Sequence, residues 1–156
     1  MSAAASRPAG PHAVARLIAL ALLAGVALFA MVAVFALPGA VGPLAPGVAR
    51  TLTLVWYGMG AAALLGWWLL RARVLSGVAP AARARGAGDG PERTLQLLIL
   101  GWALLEGAAL FGVTLYLLGA GTPPLVGGLA IMALGIAASW PRPEWFPAAG
   151  RATPIG

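Results

Sequence analysis

The chain has 156 residues, of which 61% are hydrophobic and 9% are charged, whereas a soluble domain carries about 25% charged residues. This much apolar surface exceeds what a soluble core of this length encloses, so the sequence predicts an integral membrane protein with one domain. The chain has no cysteine and a single histidine, which excludes disulfides, thiol catalysis and a Cys/His metal centre. Its net charge of +6 comes from arginines outside the apolar runs. Orientation of the chain in a membrane explains these arginines better than a nucleic-acid partner does.

Four apolar segments follow along the chain, and a helix needs roughly 20 apolar residues to cross the hydrocarbon core. They predict transmembrane helices over 17–37, 51–70, 97–118 and 122–140. The first segment begins after basic residues, as a signal peptide does, but it is longer than the usual core of about 7–15 residues and is interpreted as a span. The fourth is the shortest and crosses only if residues 120–123 belong to it or the bilayer thins locally. The predicted fold class is therefore all-α, a polytopic bundle of four transmembrane helices.

The arginines predict how this bundle is oriented. Nine of the ten lie in 1–16, 71–96 or 141–156, and Arg50 alone lies on the other side. Because basic residues accumulate on the cytoplasmic side, these segments are predicted to be a disordered cytoplasmic N-tail, a cytoplasmic loop and a cytoplasmic C-tail. The expected location is a bacterial-type inner membrane, with both termini in the cytoplasm.

Tryptophans support the same orientation, since their rings favour the two membrane interfaces. Trp67 and Trp68 close the second predicted helix, and Trp140 and Trp145 close the fourth. We expect all four at the cytoplasmic interface. The two remaining tryptophans are predicted near an interface as well, Trp102 on the cytoplasmic side and Trp56 on the outer side.

A weak internal repeat links the two halves of the chain. LLAGVALFAMV (22–32) aligns with LLEGAALFGVT (104–114), and Ala24 stands where the second copy has Glu106. This pattern is consistent with two duplicated hairpins related by an axis along the membrane normal. The alternative is chance recurrence of Leu, Ala and Gly in apolar helices.

Small residues at intervals of four predict where helices approach closely. Such series are Gly58, Ala62 and Gly66 in the second helix, Ala103 and Gly107, and Ala108 and Gly112, in the third, with Gly127 and Gly135 eight apart in the fourth. We expect the second and third helices to pack closely through them. A sharper alternative is that the series form an interface with another copy of the chain.

Glu106 is the only ionisable group in the third apolar segment. At a rise of about 1.5 Å per residue, its distance from Leu97 places it roughly 13 Å deep, near the bilayer centre. No Arg or His lies in a predicted helix, so we expect the carboxyl to stay largely protonated unless water or a cation reaches it. Candidate hydrogen-bond partners are Trp102, Thr114 and, on the second helix, Tyr57.

The segment LQLLILGWALLEGAALFGVTLYLL (95–118) resembles the carboxylate-bearing helix of ATP synthase subunit c, the rotor proteolipid. In that family a Glu or Asp is followed by small and apolar residues, then an aromatic or aliphatic residue, then Gly and Leu or Val. Glu106, Phe111, Gly112 and Val113 match this pattern. The resemblance implies that Glu106 binds and releases a proton or, less readily, Na⁺. The long loop before this helix departs from the short polar loop of the family.

These observations leave two functional interpretations. A lone carboxylate inside the membrane indicates a proton-binding subunit or transporter component centred on Glu106. The alternative is an accessory or scaffold subunit that packs against a larger membrane complex or another copy of itself, with Glu106 protonated and structural. The predicted helices contain no Ser–His–acid set, and no Gly-rich loop follows a strand. We therefore expect no enzymatic activity, no cofactor and no metal site, and the expected partners are the lipid bilayer and other membrane subunits.

Overall fold

The computed structural model describes residues 10–37, 42, 44–77 and 90–146. Within these residues the chain is helical and contains no strand, which confirms the predicted all-α class with four helices. The helices are α1 (Pro11–Met31), continued by a π-helical turn (Val32–Ala36), then α2 (Pro46–Gly77), α3 (Pro91–Leu117) and α4 (Thr122–Ala138), followed by a short 3₁₀ turn (Pro143–Trp145).

Three of the helices are long and apolar enough to cross a membrane. The most apolar 18-residue stretch has a mean hydropathy of 2.8 in Pro11–Ala36, 1.4 in Pro46–Gly77 and 1.9 in Pro91–Leu117. The fourth, Thr122–Ala138, has 17 residues, which corresponds to about 26 Å of helix. These features indicate a helical membrane protein with three helices able to span a membrane and one shorter apolar helix.

Helices α1 and α3 both start earlier than hydropathy predicted, because a Gly-Pro pair begins each of them. Pro11 and Pro91 occupy the first helical turn, where proline loses no intrahelical hydrogen bond. Residues 11–16 of the predicted N-tail are thus helical, and the predicted loop 71–96 is shortened from both sides. The rest of that loop (78–89) and residues 1–9 lie outside the described residues.

Helices α3 and α4 are joined by a tight turn that two glycines make possible. Gly119 has a φ of +80°, and its N–H donates to Tyr116 O while the Ala120 N–H donates to Leu115 O. This pair of bonds is the Schellman ending of a helix, in which a left-handed residue favours glycine. Gly121, with a φ of +87°, then directs the chain into α4. The two helices consequently run antiparallel and close together.

Helix α3 is the centre of the bundle, since it packs against α1, α2 and α4. The main core contains Trp102, Leu105 and Ala109 of α3 with Met132 and Ile136 of α4. In the described part of the chain, α1 and α2 make few contacts with each other, whereas α3 and α4 pack along their length. The two hairpins are therefore packed differently, although their sequences are partly alike.

Among the described glycines, the closest backbone approach lies between α3 and α4, and it includes Gly112 of the predicted series. A Cβ on Gly128 would lie 3.0 Å from Ala109 Cα, and one on Gly112 would collide with the Pro124 carbonyl. By contrast, the space beside Gly58 and Gly107 is open. Helices α2 and α3 do pack together, and of the predicted series Gly66 meets α3, since a Cβ there would lie 2.9 Å from Leu104 Cδ1, whereas Gly58 and Gly107 make no close contact.

The beginning of the predicted C-tail is part of the fold. Trp145 and Phe146 are buried and belong to the main core cluster, which also contains Ala15 and Ala19 of α1. Pro141 is buried as well. Residues 141–146 therefore pack against the same end of the bundle as the start of α1, and only residues 147–156 lie outside the described residues.

Candidate functional site

Glu106 lies near the middle of α3 and of the bundle. Trp102, one turn before Glu106, donates a hydrogen bond to Ser139 at the end of α4. Ala108, two residues after Glu106, accepts a hydrogen bond from Trp56 of α2 through its carbonyl. The Glu106 side chain is half-buried.

The three predicted partners of Glu106 are engaged elsewhere. The Trp102 indole N–H donates to Ser139 Oγ at 2.8 Å, and the Thr114 hydroxyl donates to the Leu110 carbonyl at 2.9 Å. Tyr57 is exposed, and its ring lies 5.0 Å from that of Trp56. The structure thus brings none of the three into hydrogen-bond contact with the carboxyl.

Among the residues that the structure describes, the Glu106 carboxyl forms neither a hydrogen bond nor an ion pair. Helical spacing puts Glu106 on the same stripe of α3 as Val113, two turns later. Val113 is buried in a small cluster with Ala30 and Ala33 at the C-terminal end of the first helical segment. Glu106 therefore lies on the stripe of α3 that contacts this segment at Val113.

The neighbouring face of α3, which contains Ala103 and Gly107, borders an open apolar groove of about 330 Å³ between α2 and α3. Its walls carry no polar side chain, and Glu106 is not among its lining residues. The lining residues are Met59, Ala62, Ala63, Ala103, Leu104, Gly107 and Ala108. This groove offers an apolar chain a place to lie and offers no polar path for water to the carboxyl.

The most highly connected polar group of the described chain is Ser139, which sequence reasoning did not single out. It accepts the indole N–H groups of Trp102 at 2.8 Å and Trp67 at 3.3 Å, and its own hydroxyl donates to Gly135 O at 2.6 Å. A hydroxyl has one hydrogen and two acceptor lone pairs, so this one is saturated. The available signal was its position as a lone hydroxyl beside Trp140 at the end of an apolar helix.

Two tryptophans expected at the membrane interfaces are internal. Trp102 is fully buried and Trp56 is 3% exposed. The Trp56 indole N–H donates to Ala108 O at 2.9 Å, and its ring fills the space beside Gly112 and Gly127. Because each N–H finds a partner inside the bundle, neither ring needs water at the interface.

Two arginines form hydrogen bonds at the end of the bundle where α4 ends. Arg16 Nε donates to Pro141 O at 3.3 Å, and Arg71 Nε donates to Ala138 O at 3.2 Å. These carbonyls have no partner within a helix, and cations near a helix C-terminus also complement its dipole. The two bonds therefore fix the end of the shortest helix to α1 and α2.

No group of three or more His, Cys, Asp or Glu residues within the described ranges could hold a metal ion. Comparison of the chain with family models, curated proteins and solved structures gave no match. The candidate sites are therefore Glu106 and the end of the bundle formed by Arg16, Arg71 and Ser139.

Proposed function

We propose that this chain is an accessory subunit of the membrane, a four-span bundle that packs against another membrane protein with Glu106 at the contact. The observation that carries the proposal is the half-buried carboxyl of Glu106, which has no hydrogen-bond partner among the described residues. A carboxylate at the centre of a transmembrane helix costs about 2.5–3.5 kcal/mol on insertion scales. A polar group from a neighbouring subunit would offset that cost.

The surface next to Glu106 supports such a contact. Ala103, one turn before Glu106, and Gly107 are both exposed, and the space beside Gly107 is open. Small residues let a second helix approach closely in lipid, where packing and interhelical hydrogen bonds supply the attraction. A partner helix seated here would lie within reach of the carboxyl.

The proposed orientation follows the arginines. Arg16 and Arg71 lie at one end of the bundle with the start of α3, whereas Arg50 lies near the start of α2 at the other end. Placing the arginine-rich end in the cytoplasm satisfies the positive-inside rule. The membrane is proposed to be a bacterial-type inner membrane, and α4 is proposed to cross it with the support of the packed segment 141–146.

A photoreactive residue at position 103 tests the proposal in native membranes. We expect it to cross-link to a distinct membrane protein, and the cross-link should persist in Glu106→Gln but weaken strongly in Glu106→Leu. Glutamine still donates and accepts hydrogen bonds, whereas leucine does neither. A photoreactive residue at position 134, which is 70% exposed on α4, is the matched control. Capture of lipid alone from position 103 contradicts the proposal.

The second candidate is proton binding at Glu106, and one observation favours it. The carboxyl is not enclosed in a closed hydrogen-bond network with described residues, so a proton is free to exchange when water or a partner's polar group reaches it. The resemblance of 95–118 to the carboxylate-bearing helix of ATP synthase subunit c points the same way. The Gln variant separates the two candidates, because glutamine preserves a contact and abolishes titration.

A further inference from the structure

Two guanidinium groups are held in place around the end of α4. Arg16 reaches from α1 and Arg71 from α2, and each uses its Nε to donate to a carbonyl near the end of α4, at 3.3 Å and 3.2 Å respectively. The accepting carbonyls belong to Pro141 and Ala138, three residues apart in the chain. We call this pair of arginines the arginine collar.

Each member of the arginine collar has a second anchor. The guanidinium carbon of Arg16 lies 6.0 Å from the centre of the Trp140 ring, and that of Arg71 lies 5.9 Å from the centre of the Trp67 ring. Cations over tryptophan faces at this distance are attracted by the ring quadrupole. With two anchors each, both side chains lose little further conformational freedom when a ligand binds.

The anchors leave the outer part of each guanidinium available. An arginine has five N–H donors, and only the one on Nε is used by the carbonyl. Within the described residues, neither arginine has a carboxylate partner. The two terminal nitrogens therefore remain as a planar fork, the geometry that matches phosphate oxygens.

The position of the arginine collar determines which phosphate it meets. The apolar helices containing Arg16 and Arg71 cross the membrane, and exposed Trp68 (56%) stands one turn before the end of the apolar part of α2. Tryptophans of this kind mark the level of the lipid headgroups. The end of α4 carries a partial negative charge of about half an elementary charge. The two positive charges of the arginines exceed it, so the site attracts an anion.

We propose that the arginine collar is a binding site for the phosphate of an anionic phospholipid headgroup. The terminal nitrogens of Arg16 and Arg71 hold the phosphate oxygens, while the Nε bonds and the indoles of Trp140 and Trp67 hold the guanidiniums. We expect a lipid rather than free phosphate, because the site lies at the level of the lipid headgroups. The acyl chains of a bound lipid would lie along the apolar surfaces of the helices.

Lysine substitutions test the proposal at constant charge. The double variant Arg16→Lys/Arg71→Lys keeps both positive charges, but a lysine has a single nitrogen and cannot hold a carbonyl and a phosphate in the fork geometry. In native mass spectrometry of detergent-solubilised protein, wild type should bind phosphatidylglycerol more tightly than phosphatidylcholine. The double variant should bind phosphatidylglycerol about tenfold more weakly, and each single variant should lose part of that affinity.

The control variant Arg50→Lys/Arg73→Lys changes two exposed arginines that make no anchoring contact and should bind as wild type does. Equal affinity for both lipids, or equal loss in the control and collar variants, overturns the proposal, because binding would then reflect net charge alone. Displacement of the lipid by inorganic phosphate at equal concentration also overturns it. If the double variant does not fold, unchanged binding by both single variants has the same consequence.

Discussion

The indole N–H of Trp102 lies 2.8 Å from Ser139 Oγ, and this bond ties the centre of the bundle to the end of its shortest helix. Trp102 is fully buried and Ser139 is 1% exposed, so water does not compete for the bond. Through the same hydroxyl, Trp67 connects α2 to α4. Three helices therefore meet at one oxygen atom.

Removal of that oxygen by Ser139→Ala should destabilise the bundle by about 1–2 kcal/mol, because it leaves the buried Trp102 N–H without an acceptor. Thermal unfolding of the detergent-solubilised protein measures the change. Ser76→Ala is the matched control, since its exposed hydroxyl donates only to Arg73 O in its own helix. An equal loss in both variants would mean that the Ser139 network contributes nothing specific.

Helix contact provides the next test. Gly128→Ala should lower stability by about 1–3 kcal/mol, because its Cβ would lie 3.0 Å from the backbone of Ala109 and the helices would have to separate. Gly107→Ala is the control. It has open space beside it, so it should be neutral or, through helix propensity, slightly stabilising. A larger loss in Gly107→Ala than in Gly128→Ala would contradict the observed packing.

Hydropathy predicted the four helices well because the length of an apolar run depends only on the local sequence. The ends were less predictable: Pro11 and Pro91 begin their helices in stretches too polar for a hydropathy window. Residues 141–146 look like a tail in the sequence, and they are ordered by burial of Trp145 and Phe146 against distant parts of the chain. Such burial becomes visible only when the helices are packed.

The candidate site at Glu106 stays a prediction, made because a carboxylate in an apolar run is conspicuous. Spacing could not reveal that Trp102 has a better acceptor in Ser139, on another helix. The bond from Arg16 to Pro141 joins the first helix to the segment after the last, so no local pattern indicates it.

The proposed orientation predicts the outcome of reporter fusions. A fusion after Arg85 should behave as cytoplasmic and one at Gly42 as external, because basic residues are retained on the cytoplasmic side. At each position, we would measure the activity of one reporter that works only in the cytoplasm and of another that works only outside it. The reverse result would invert the bundle and remove the directional match to the ATP synthase subunit c helix.

A third fusion, after Arg151, examines whether α4 crosses the membrane. We expect the cytoplasmic reporter to be active there, since four crossings return the chain to the side on which it started. Its 17 residues give about 26 Å of helix, which falls short of the hydrocarbon core of about 30 Å and requires local thinning or the support of the segment after it. External activity at this position would mean that only three helices cross.

Glu106 itself can be tested with a hydrophobic carbodiimide, which reacts with a protonated carboxyl in an apolar setting. We expect mass spectrometry to find the label on Glu106 in membranes, with a rate that rises as the pH falls, because only the protonated form reacts. Glu92, which is exposed near the start of α3, is the internal control and should react poorly with the membrane-soluble reagent. Absence of label on Glu106 at every pH would remove the proton-binding candidate.

The two substitutions at this position complete the test. Glu106→Gln cannot titrate but keeps its capacity for hydrogen bonds. If Glu106 binds protons, this variant should assemble normally and lose any proton-linked growth or flux. If Glu106 makes only a structural contact, the variant should behave as wild type in every respect. Glu106→Leu removes the cost of placing a carboxyl in hydrocarbon and should make the isolated bundle equally or more stable. Under the accessory-subunit proposal, the same leucine should weaken assembly with the partner while the isolated bundle stays folded. Wild-type assembly and function in both variants would leave Glu106 as a packing residue and contradict both candidate functions.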